Sequence, residues 1–184
     1  MEHDDDESGS QVILGRVPMY DVRSLDEVVA LVESCASECV VVSDVDNTLA
    51  PQGIALAEFG TVVNAAIDRL EAHPKVARVI ALTNGPERDV DRLVSRGNKP
   101  WTTRGRLGLR GSHTPIMVIG DQVLTDGVLA WRLRATFLHL VIDDEEEARR
   151  QAVMRRLGSH LIGVLFRRKA SGGLTLSGVR DDTD

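Results

Sequence analysis

The chain has 184 residues, 28 acidic against 22 Lys and Arg side chains, and a formal net charge of −6. That length suits one domain with a sizeable core plus tails, no apolar run approaches the roughly 18 residues of a membrane span, and the acidic amino terminus is unlike a secretion signal. With aromatics at 3% there is little from which to build stacking platforms for single-stranded nucleic acid, and no nucleic-acid partner is expected.

The acid is concentrated at the ends. Residues 1–7 hold five acids and the last five residues hold Asp181, Asp182 and Asp184 against Arg180, so the tails carry −5 and −2 of the net −6 and the body is +1. Residues 1–10 are expected to be a disordered acidic tail and 171–184 a flexible one, because such segments have too little to bury. Residues 11–170 form the expected single domain.

In chain order, Gln11–Tyr20 reads as an extended lead-in containing Pro18. Ser24 with Glu27 three residues later is a capping-box pattern, opening a helix with an apolar face of Leu25, Val28, Val29, Leu31 and Val32. Cys35 and Cys39 have no His or Cys neighbours, make no zinc constellation, and read as reduced thiols of a cytoplasmic protein. Val40–Val42 is a buried strand ending at Asp44. Helical spacing of Phe59, Val62, Val63, Ala66, Ile67 and Leu70 predicts a packing helix over Glu58–Ala72.

Val76–Leu82 is a second buried strand, ending in Thr83-Asn84-Gly85, and Pro86 opens a short helix through Leu93. The segment Trp101–Gly111, with glycines at 105, 108 and 111, would make a poor helix. Ile116–Ile119 and Phe137–Ile142 are further strands, the second followed by a charged helix over Asp143–Leu157; Leu161–Phe166 is apolar and fits either state. Strands alternating with helices predict an α/β fold with a Rossmann-like, doubly wound parallel sheet.

In such a sheet the strand ends share one edge, and ligands bind just beyond it. Asp44 and Asp46, Thr83 and Asn84, and Asp121 therefore converge, with Lys99 between them in sequence. Two carboxylates spaced i and i+2 can divide the work of phosphoryl transfer: one attacks phosphorus while the other handles the leaving-group proton, and both can hold a divalent cation. Singly, each residue has a plainer reading. Asp and Asn form turns, Thr83 or Asp126 suits a helix N-cap, and Lys99 before a proline suits a loop.

Taken together, Asp44-Val45-Asp46-Asn47-Thr48, Thr83, Lys99, and Gly120-Asp121 with Asp126 resemble, in order, the four motifs of the haloacid dehalogenase (HAD) superfamily of phosphatases. Over roughly residues 17–142 the chain looks closer still to the YqeG family and the related mitochondrial phosphatidylglycerophosphate phosphatases, on Asp44–Leu49, Lys99-Pro100 and Gly120–Asp126. The resemblance implies a HAD-like hydrolase fold and a Mg²⁺-dependent phosphatase acting on a phosphate-ester substrate. Asp44 would be the nucleophile and Asp46 the acid and base, oriented by Thr48. Thr83, Asn84 and Lys99 would bind the phosphoryl group. The metal-binding set would be Asp44, Asp46 (through its carbonyl), Asp121 and Asp126. The chain departs from the relatives at Gly85, where they usually carry Asn, and at Leu129-Ala130-Trp131-Arg132, where they have Gly-Ala-Asn-Arg.

Only 33 positions separate Leu49 from Leu82 and 15 separate Asn84 from Lys99, so neither interval has room for a cap domain. An open site admits a lipid phosphate such as phosphatidylglycerophosphate, a soluble sugar phosphate or nucleotide, or a phosphoprotein; a binding module that has given up chemistry is the alternative from another class. Six basic residues and no acid between Arg92 and Gly120 would suit a positive rim for an anionic substrate, or a solvated loop. The arginines after residue 148 are compatible with peripheral membrane contact, though Glu145–Glu147 on the same expected helix favour a salt-bridged face. Oligomeric state is left open.

Overall fold

A computed structural model describes residues 15–51, 53–84, 93–95, 98–142 and 149–169. The strands are β1 (Val17–Val22), β2 (Cys39–Ser43), β3 (Val76–Thr83), β4 (Leu93–Ser95), β5 (Ile116–Gly120), β6 (Thr136–Leu140) and β7 (Phe166–Arg168). Four α-helices lie among the described residues: α1 (Leu25–Glu33), α2 (Leu56–Glu71), α3 (Val128–Leu133) and α4 (Arg149–Leu165). A 3₁₀ turn spans Lys99–Trp101, and a π-type turn spans Val123–Gly127 just before α3.

The seven strands form one parallel sheet in the order β4-β3-β2-β5-β6-β1-β7. From β2 the chain builds outward through β3 and β4 on one side, then crosses to β5 and β6 on the other. The order therefore reverses between β2 and β5, and a reversal of this kind opens a crevice at the carboxyl ends of the two strands. All five residues of β2 and all five of β5 are buried, as expected of strands covered on both faces.

Alternation along the strands divides the apolar side chains between two cores. Val41, Ala81, Ile119 and Leu138 pack with α1 and α2 on one face through Val28, Leu31, Val32, Val63, Ile67 and Leu70. Val40, Val42, Val118 and Phe137 face the other way, onto Leu129, Ala130 and Leu133 of α3 and onto Leu161, Ile162 and Leu165 of α4. Helices on both faces make this the doubly wound α/β arrangement expected from the alternation of elements.

Several expectations need adjusting. The lead-in is a sheet strand, β1, held between β6 and β7; Pro18 fits because the β6 ladder begins only at Met19. At α1 the Ser24 hydroxyl accepts from Glu27 N–H at 3.3 Å, while the Glu27 carboxylate reaches the N–H of Arg23 rather than that of Ser24. Leu93 begins strand β4 instead of ending a helix, and the rest of the segment opened by Pro86 lies outside the described residues. α4 runs on to Leu165, eight positions past the expected end at Leu157, and Phe166 starts β7, so the ambiguous Leu161–Phe166 divides between the two. Its expected beginning at Asp143–Ala148 and both tails lie outside the described residues. Trp101–Gly111 forms the end of the 3₁₀ turn and further turns, with no α-helix. Cys35, within the α1–β2 connection, and Cys39, the first residue of β2, are buried free thiols. Among the described residues no connection carries a second domain, and no helix is long and apolar enough to cross a membrane.

Ile67 is fully buried between α2 and the sheet, whereas Leu56 at the start of the same helix is 81% exposed. Ile67→Ala is expected to cost about 2–5 kcal/mol in urea unfolding, and Leu56→Ala less than about 0.5 kcal/mol. Equal costs would contradict this packing of α2.

Candidate active site

The carboxyl ends of β3, β2 and β5, three neighbours in the sheet, carry the polar residues singled out in the sequence. Asp44 follows β2 directly, and its N–H donates to Ile119 O at 2.8 Å, so the β2–β5 ladder extends to the first acid. The chain then folds back on itself. The N–H groups of Thr48, Leu49 and Ala50 all reach Val45 O, and Asn47 N–H reaches Ala50 O. Asn47 takes φ 63°, a left-handed conformation that Asn tolerates better than most side chains. This tight turn brings Asp46 alongside the end of β3, where Thr83 Oγ1 donates to Asp46 Oδ2 at 3.1 Å.

Lys99 lies inside this group. Its Nζ is 2.7 Å from Asp44 Oδ1 and 2.6 Å from Asp126 Oδ1, and only 3% of the residue is exposed. The backbone of Lys99 is held as well, since its N–H donates to Asn84 Oδ1 at 2.8 Å. Asp126, on the π-type turn after β5, also accepts from Gln122 N–H at 3.2 Å. It sits directly over Gly120, where a Cβ would overlap its carboxyl group. The glycine before Asp121 is therefore required by close packing, beyond any turn preference.

Asp44, Asp121 and Asp126 bring carboxylate oxygens within 4.8 Å of one another, which is compact enough to hold a cation. Asp121 Oδ2 accepts from Asn47 Nδ2 at 3.4 Å, while Asp121 Oδ1 is buried without a hydrogen-bond partner. Burial, with Asp126 nearby, pushes the Asp44 carboxyl up to about 8 against the opposing pull of Lys99. Burial and Asp126 raise Asp121 to about 6. Burial opposes the charge of Lys99, yet Asp126 and Asp44 outweigh it and raise its pKa. One ammonium cannot neutralise three clustered carboxylates, so an excess of negative charge remains. An all-oxygen donor set, a buried oxygen with no partner and surplus negative charge fit a hard divalent cation.

The structure brings together Asp44, Asp46, Thr83, Asn84, Lys99, Asp121 and Asp126. Some take other partners than expected. The Oγ1 of Thr48 is buried with no hydrogen-bond partner, and it is Thr83 that holds Asp46. The Asn84 carbonyl positions the Lys99 backbone. Asp126 caps no helix and instead lies buried within the cluster. Of the six basic residues of the expected rim, Lys99 is interior, the Arg104 guanidinium donates to Leu133 O and Ser112 O, Arg106 and Arg110 are exposed, and Arg92 and Arg96 lie outside the described residues. Leu129 is buried and Trp131 packs partly against the same core, while Gly85 is outside the described residues. Asn47, read from sequence as a turn residue, also orients Asp121; its place beside two acids was the available signal.

Two outcomes follow from this crowding. Asp44 and Asp121 are raised from the ordinary 3.8, so between about pH 4 and pH 8 the fold retains protons that the unfolded chain has released. The contribution of these two groups to the stability of chelated protein should be fully present below this window and be lost as pH rises through it, and an added divalent cation should raise the melting temperature more at about pH 8 than at about pH 5. Thermal melts across pH test this, and a flat chelated profile would contradict the shared-charge account. Gly120→Ala should displace Asp126, abolishing the thermal shift given by a divalent cation as well as lowering stability; retention of the full shift would show that Asp126 is not needed for the cation.

Comparison with protein-family models, curated proteins and solved structures returned no match.

Proposed function

We propose that this chain is an uncapped phosphatase of the HAD type, hydrolysing phosphomonoesters with Mg²⁺ through an aspartyl-phosphate on Asp44. The observation that carries this reading is Asp44 and Asp126 joined through a buried Lys99, with Asp121 beside them and Asp46 in the turn after β2, held by Thr83 at the end of β3. Asp44 attacks phosphorus as the P–O bond to the leaving group breaks, and Asp46 delivers its proton to the departing oxygen. Asp46 then takes a proton from the water that attacks the aspartyl-phosphate, releasing inorganic phosphate and regenerating Asp44. The ammonium of Lys99 fixes the Asp44 carboxylate and offsets charge gathering at phosphorus.

Asp44, Asp121, Asp126 and the Asp46 carbonyl would hold Mg²⁺, which when bound would neutralise phosphoryl oxygens and let the anionic nucleophile approach. In this reading Thr83 keeps Asp46 in place and Asn84 keeps Lys99 in place. That no connection carries a second domain among the described residues supports an open site, compatible with a lipid phosphate such as phosphatidylglycerophosphate or with a soluble phosphate ester.

Asp44→Asn should abolish turnover of an aryl phosphate, and Asp46→Asn should slow it by about 10²–10⁴-fold, the usual worth of a positioned proton donor. Chelation should stop the reaction and Mg²⁺ restore it. Wild-type-like activity of Asp44→Asn would overturn the mechanism. No turnover across a broad ester panel, with no Mg²⁺-dependent thermal shift from vanadate or fluoroberyllate, would instead favour a binding module.

A further inference from the structure

The winding of this sheet opens a second crevice on the same edge. From the end of β1 the chain passes to α1, which packs on one face of the sheet, whereas α4, the helix after β6, packs on the other. β6 and β1 are hydrogen-bonded neighbours. Where the chain leaves two adjacent parallel strands toward opposite faces, a gap is left between their carboxyl ends. The same parting occurs at β2 and β5, whose helices α2 and α3 also take opposite faces.

A cavity of about 530 Å³ lies at the β6–β1 parting, within the size range of small-molecule sites. Its walls are of two kinds. Val22 and Leu31, both buried, join Ala30 and Val141 at the surface in an aliphatic side that contains no aromatic ring. The charged side consists of Asp21, Arg168, Glu27 and Arg23. Three of these are engaged. Asp21 Oδ1 lies 3.0 Å from His139 Nδ1 and its Oδ2 lies 2.9 Å from Arg168 Nη2, while Glu27 Oε2 accepts from the Arg23 N–H at 2.9 Å. Among the described residues no carboxylate pairs with the Arg23 guanidinium. Arg23 is exposed, so an incoming anion can reach it.

We propose that this cavity binds a small amphiphilic anion, with an aliphatic body against Val22, Ala30, Leu31 and Val141 and a carboxylate or phosphate head on Arg23. Release of water from the aliphatic side supplies the driving force. The guanidinium fork, shaped for two oxygens of one anion, fixes which end of the ligand faces solvent. Binding needs neither Asp44 nor a divalent cation, so the site stands or falls separately from the phosphatase reading.

Amide chemical-shift titrations of the full chain test this, with chelator present to keep the acid cluster free of cation. Octanoate and octyl phosphate supply the two heads, octanol the body without charge, and acetate the charge without a body. Octanoate or octyl phosphate should give saturable shifts at Arg23, Ala30, Leu31 and Val141, and the tighter of the two identifies the head group. Arg23→Gln, which keeps the backbone N–H for Glu27, should weaken that ligand by about tenfold or more and leave octanol within about twofold. Ala30→Trp, at an exposed helical position, should fill the cavity and abolish binding of both, with distant amide resonances unmoved. Absence of saturable shifts at these residues, acetate binding as tightly as octanoate, equal losses for octanol and the anion in Arg23→Gln, or undiminished binding in Ala30→Trp would each overturn the site.

Discussion

A buried lysine shared by two buried carboxylates is the interaction on which the rest of this site depends. Lys99 comes from a 3₁₀ turn, Asp44 from the end of β2 and Asp126 from the turn after β5, so one ammonium ties together three segments distant in sequence. Burying those charges is costly unless they are paired and hydrogen-bonded. Here the Lys99 backbone is held by Asn84 and the Asp126 carboxylate by Gln122 N–H. Packing of Asp126 over Gly120 then leaves the carboxylate little room to move. Burial first, and then the acid that this pairing leaves in excess, raise Asp44 and Asp121, and the excess suits the cluster to a divalent cation.

The sheet order gives this cluster its place. Because the winding reverses between β2 and β5, their carboxyl ends open side by side, and β3 adds Thr83 from the neighbouring position. A lysine entering between two strand ends meets acids from both. Such an arrangement serves phosphoryl transfer because attacking carboxylate, proton donor and compensating cation need to be fixed before substrate arrives. Trp101 at the end of the same 3₁₀ turn stacks on Arg132 of α3.

Much of the fold was legible in the chain because the strands are apolar runs of distinct length and the helices keep a regular apolar face. β2, β3 and β5 are found within about a residue of their expected limits, since polar turn residues stop each one. β1, β4 and β7 were harder to read. β1 contains Pro18, β4 and β7 are three residues each, and so short a run carries no period. The end of α4 was misplaced because Gly158 weakens the helical pattern, although in the fold that glycine is where α4 packs closely on Val123.

By itself the sequence determined which residues carry charge and chemistry, and that parallel strands would deliver Asp44, Asp46, Thr83 and Asp121 to one edge. Period and punctuation are local properties, so residue order alone contains them. Only the tertiary structure decided who pairs with whom: that Thr83 and not Thr48 holds Asp46, that Asn84 serves the Lys99 backbone, that Asp126 is buried against Gly120, and that Arg132 lies on Trp101. Those contacts join positions up to 37 residues apart, as between Asp46 and Thr83, and the Lys99–Asp44 ion pair spans 55. They are chosen by how two layers of helices settle on a twisted sheet, and no local pattern along the chain records that choice.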